Sequence, residues 1–160
     1  MLHGVLIALH AATGFLALAA GAVAVRNGRF FDVYLWSLIG MALFLVLAVG
    51  AEWAVIDTGA RLLFAAFGVL AAVMVWRAVL ARRIRPAGMP SPGYVEHVGF
   101  TLVGLFDAFA VIAVLNAGAP IWLVVGTGVL IAVAGHFAIR SARRALSDQR
   151  RPEPLAHPVP

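Results

Sequence analysis

Apolar runs of about 20 residues recur five times along this chain, at 3–25, 33–52, 58–81, 97–116 and 120–140, with short polar breaks between them. At about 1.5 Å of rise per residue, such a run as a helix crosses a hydrocarbon layer roughly 30 Å thick. Of the 160 residues 63% are hydrophobic and 12% charged, far from the balance of a water-soluble domain. The fold expected is therefore all-α: a polytopic transmembrane helical bundle of five spans over 1–145. The Arg- and Pro-rich tail is expected to begin as a helical extension and to become disordered over 146–160.

The breaks carry the punctuation that turns need. They read Arg26-Asn27-Gly28-Arg29, then Asp57-Thr58-Gly59, then a long 82–96 segment with Pro86, Gly88, Pro90, Pro92 and Gly93, then Asn116 to Pro120. The last is tight enough for an antiparallel helical hairpin, with Pro120 suited to a first helical turn. A secretory signal would carry its positive charge ahead of its apolar core, whereas Arg26 and Arg29 follow theirs, so the first run is expected to stay as a helix.

The basic residues fix the expected orientation. All twelve are Arg, and eleven fall after the first, third and fifth runs, leaving only Arg61 on the opposite side. Cytoplasmic loops retain such residues, so an N-out, C-in chain with an odd number of spans is expected. All four Trp residues, at 36, 53, 76 and 122, sit at run ends, where aromatic rings favour the headgroup level. The formal charge of +5 therefore reads as topology, and no nucleic-acid partner is expected. The chain has no Cys, so disulfides and thiolate metal ligands are excluded.

Helices in lipid associate through small residues that let backbones approach. His3, His10, Gly14, Ala17 and Gly21 form one stripe on the first helix. Gly128, Ala132 and Gly135 form another on the fifth, and Gly104 and Ala108 flank Asp107 on the fourth. These faces suit packing within the bundle and homo- or hetero-oligomers in the bilayer.

Asp107 is the one acid in the middle of a span. At that depth a carboxylate costs about 2.5 to 3.5 kcal/mol, so it must be protonated, paired or facing water. Counted from the outer helix ends, Asp107 and His10 both lie roughly 10 to 14 Å deep, so they could meet as a polar intramembrane pocket that moves protons, binds a cation or holds a hydrogen bond. Glu52, with Asp57 nearby, makes the outer mouth acidic and would extend such a pair outward beneath His3. At the inner side, His97 and His136 on adjacent antiparallel helices could face each other as ligands of a b-type haem. No phosphate-loop, zinc-protease or serine-hydrolase motif is present and no catalytic set is expected.

The stretch Leu9-His10-Ala11-Ala12-Thr13-Gly14-Phe15-Leu16-Ala17-Leu18 with the following Arg-Asn-Gly-Arg, and the third-run segments Phe67 to Leu70, Trp76 to Val79 and Arg82-Arg83, resemble uncharacterised small bacterial multi-helix inner-membrane proteins. The chain departs from them at Phe30-Phe31-Asp32, where many carry a His-Arg pair. The resemblance implies a multi-pass architecture and a bacterial inner-membrane location, and it implies no activity. Three functions follow as expectations: a subunit or accessory factor of a larger membrane complex, a small proton- or ion-coupled transporter, and a b-type haem electron carrier.

Overall fold

A computed structural model of the chain describes residues 2–149. It contains five helices in chain order: α1 (Leu2–Asn27), α2 (Phe31–Glu52), α3 (Thr58–Arg83), α4 (Pro92–Asn116) and α5 (Ile121–Gln149). Each includes a stretch long and apolar enough to cross a membrane, as the sequence pattern requires. Among the described residues there is no strand.

Two helices run beyond their expected spans, both for local reasons, and the continuation of α5 past 140 is the helical extension expected of the tail. Helix α4 begins at Pro92, ahead of 97, because the Ser91 side chain caps it by accepting the Tyr94 backbone N–H at 3.2 Å and Pro92 needs no hydrogen-bond partner in a first turn. Helix α5 continues past 140 to Gln149 through Ser141-Ala142-Arg143-Arg144-Ala145-Leu146, a run rich in good helix formers. It thus enters the segment expected as tail, and residues 150–160 lie outside the described residues.

Helix α1 packs against α2 and α4, α2 against α3, and α3 against α4, so the first four helices close a ring. Helix α5 lies outside it and packs on α4 alone. The α1–α2 turn is tight because Gly28 (φ 72°) and Phe30 (φ 57°) both take left-handed backbone. A Cβ on Gly28 would also stand 2.9 Å from the Pro86 carbonyl oxygen. From the end of α3, Arg85 clamps this turn, donating to the Gly28 carbonyl at 3.1 Å and to the Asp32 carboxylate at 2.8 Å.

The core is confined to one half of the bundle. Gly14, Ala17, Gly21 and Ala24 of α1 are buried, as are Phe31, Tyr34, Leu38 and Met41 of α2, Ala71, Met74, Ala78 and Ala81 of α3, and Tyr94, Val98, Thr101 and Leu105 of α4. All of these lie from mid-helix to the arginine-rich end. The small residues of α1 let large ones approach: a Cβ on Gly21 would meet Leu102 at 2.8 Å and Tyr34 at 2.9 Å. Phe31, Tyr34 and Tyr94 cluster there, and the Tyr94 hydroxyl donates to the Ala24 carbonyl at 2.9 Å, joining α4 to α1.

Toward the opposite end the core stops. Beyond the level of Gly14, Met41, Ala71 and Leu105, the only buried residues among those described are Ala48 and Val124. Each lies in a helix whose sequence neighbour accompanies it, α1 beside α2 and α4 beside α5. A Cβ built on Gly4, Gly50 or Gly68 in that half would meet nothing within 4 Å.

Candidate functional site

At the acidic end, His3 and Glu52 stand near each other, with Nδ1 3.6 Å from Oε1 across the ends of α1 and α2. Two turns deeper His10 is half-buried, and its Nδ1 bonds the Met41 carbonyl of α2 at 2.9 Å. A carbonyl only accepts, so Nδ1 carries a hydrogen. Thr13, next along the same helix, turns its hydroxyl back onto the Leu9 and His10 carbonyls, a local bond that polar side chains in lipid readily make.

Asp107 faces elsewhere. On α4, Leu102 reaches Gly21 and Phe109 reaches Gly14, so the flank carrying 102 and 109 meets α1. Asp107 sits about 160° away from Phe109 at 100° per residue, on a stripe with Gly99, Val103 and Val111. That stripe meets α5: Gly99 lies under Ile139, Val103 against Gly135, and Asp107 and Val111 against Gly128. The Asp107 Oδ1 is 3.5 Å from where a Gly128 Cβ would stand, and it is buried with no hydrogen-bond partner among the described residues. His10 and Asp107 therefore share a depth but lie on opposite faces of α4, and together with Glu52 they do not form one polar chain.

The α5 seam itself differs by one residue from its expected form. Gly128 and Gly135 make close contacts with α4, but Ala132 is exposed and Ile131 takes its place between them. Spacing of four and three from Gly128 through Ala132 to Gly135 permits either residue. A stripe through Ile131 and one through Ala132 span the same arc at 100° per residue, and burial separates them, Ile131 being partly buried and Ala132 exposed.

The two inner histidines are not brought face to face. His97 turns toward α3, where its Nδ1 accepts a hydrogen bond from Arg77 Nε at 3.3 Å. His136 lies on the exposed flank of α5 with its ring edge-on to Phe137 at 5.7 Å. No cluster of three or more His, Asp or Glu suited to a metal ion occurs among the described residues.

The most connected polar group is one that sequence spacing does not bring together. Glu96 on α4 holds two arginines from different helices, Arg77 of α3 through Oε1 at 3.2 Å and Arg143 of α5 through Oε2 at 2.6 Å. The Arg77 guanidinium also stacks over the Phe100 ring at 4.5 Å, a cation–π contact that lets a charge sit beside an apolar core. Three helices are thus tied at the arginine-rich end by one carboxylate. Asp32, brought to this end by α2, is likewise taken by an arginine, Arg85.

No family model, curated protein or solved structure matches the chain.

Proposed function

We propose that the chain is a membrane-embedded subunit or accessory factor that receives a transmembrane helix of another protein, with its arginine-rich end in the cytoplasm and its bilayer a bacterial inner membrane. The observation that carries this reading is the core that ends halfway along the bundle. Four helices held together at one end by Tyr94, Glu96 and Arg85 continue outward with few buried residues, and a ring of helices gains little from remaining open unless something lies between them.

The lining of the open half favours a helix as the occupant. Gly68 lies about one turn outward of Ala71, beside the buried stripe of Ala71, Met74, Ala78 and Ala81, and has nothing within 4 Å of a Cβ position, and Ala108 of α4 is exposed at the same end. Small side chains let a guest backbone come close, where dispersion contacts and weak Cα–H hydrogen bonds hold helices together in lipid. His10, whose Nε2 has no hydrogen-bond partner among the described residues, lies one turn outward of the Gly14–Phe109 contact and offers one directional polar atom to the guest.

The test is the mass of the particle extracted from native membranes in a mild detergent. A complex heavier than one 16.9 kDa chain plus detergent, containing a second protein in fixed ratio, is expected. A homogeneous single chain would contradict the proposal, and a particle built only of this chain would replace the other protein by a second copy.

A further inference from the structure

We infer that the outward flank of α5 at the arginine-rich end is a binding site for an anionic phospholipid. Val129, Val133, Phe137, Arg140 and Arg144 follow one another at steps of four, four, three and four, so they form a single stripe along the helix. All five are exposed, because α5 packs on α4 alone and this flank points away from it. The stripe is apolar where the helix lies in hydrocarbon and cationic where it leaves it. Helix α5 has 29 residues, roughly 43 Å at 1.5 Å each, so with some tilt its last turns reach the headgroup layer of a bilayer whose core is about 30 Å.

The cationic end of the stripe is also concave. Arg140, Arg143, Arg144, Ser147 and Asp148 line a shallow depression on this flank. Arg143 is taken by Glu96. Arg140 and Arg144 have no acidic partner among the described residues, and Asp148 at the far edge leaves the depression with a positive balance. A phosphate with a net-negative headgroup supplies the missing charge, the Ser147 side chain adds a hydroxyl beside it, and the acyl chain lies along Phe137, Val133 and Val129. Guanidinium groups suit a phosphate because they donate in a planar fork. Each exposed arginine near such a surface contributes roughly a fivefold preference. This site is separate from the open half of the ring and does not depend on what occupies it.

The experiment follows thermal unfolding of the full chain in a neutral detergent with added phosphatidylglycerol, phosphatidylcholine or inorganic phosphate. Phosphatidylglycerol is expected to raise the midpoint more than phosphatidylcholine does, and inorganic phosphate to leave it unchanged. In R140Q/R144Q the two lipids should act alike, with the lipid-free midpoint unaltered because neither arginine bonds the bundle. Equal stabilisation by both lipids in the unaltered chain, or a phosphatidylglycerol effect that survives in R140Q/R144Q, would overturn the inference. Stabilisation by inorganic phosphate alone would overturn it in favour of a soluble anion. If R140Q/R144Q fails to fold, lipid retained through purification and identified by mass spectrometry decides: phosphatidylglycerol enriched over its share of the membrane supports the site, and no enrichment overturns it.

Discussion

Gly135→Leu is expected to free α5 from the bundle. A Cβ at this position would collide with both methyl groups of Val103, a β-branched side chain on α4 that cannot swing aside without entering the same helix surface. Overpacking a close interface commonly costs 1–3 kcal/mol, and a leucine here adds three further carbons at the tightest point, so a loss of about 3 kcal/mol is expected. The loss falls on one helix because α5 packs against α4 and nothing else in the bundle. Reversible unfolding in mixed micelles should show it, together with faster proteolysis in the α4–α5 connection. Gly135→Ala should show a smaller version, and adding Val103→Ala to it should recover most of the stability. Full stability of Gly135→Leu would mean that this seam is not the one described.

Glu96→Gln should weaken the arginine-rich end almost as much, through charge and not shape. The amide keeps the volume of the acid but cannot balance Arg77 and Arg143, which both point at it. Fully buried pairs cost about 3–5 kcal/mol to break from one side and exposed ones less than 1. Arg77 and Glu96 are 21% and 37% exposed, which places the loss between these limits, at about 2 kcal/mol. Arg143→Gln removes one partner and leaves Glu96 satisfied by Arg77, so its effect should be smaller. In a double-mutant cycle the pair should show a coupling well outside error. Additive effects would show that the 2.6 Å contact of Arg143 with Glu96 does not stabilise the fold.

The sequence made the architecture legible because bilayer thickness leaves few choices. Apolar length gave five helices, and the described arginines that follow the first, third and fifth runs do gather at one end. Boundaries were less legible where local chemistry decides them, as at the Ser91 cap of α4. The small-residue stripe of α1 was readable because Gly14, Ala17 and Gly21 keep a helical period, and all three are buried. The choice between Ala132 and Ile131 on α5 was not, since both fit the period and only the facing side chains separate them.

Candidate polar contacts were the least legible. Depth brought His10 and Asp107 level, but depth says nothing of rotation, and the face that Asp107 shares with Gly99 and Val103 belongs to α5. His97 bonds Arg77 for the same reason, because its direction on α4 is toward α3. Glu96 could have been found by asking what an acid does among so many arginines. Its partners are 19 and 47 residues away in sequence, so no local spacing reveals them.

The central claim is that the open half of the ring holds a helix of another protein, and the absence of native cysteine allows it to be read at single positions. A thiol-reactive photo-crosslinker is placed at Gly68→Cys, partly buried with nothing within 4 Å of its Cβ position, and at Val69→Cys, whose side chain is 65% exposed. After illumination in native membranes, position 68 should give one discrete adduct with a second protein, and position 69 should give mainly lipid adducts. Lipid adducts alone at both positions would contradict the account.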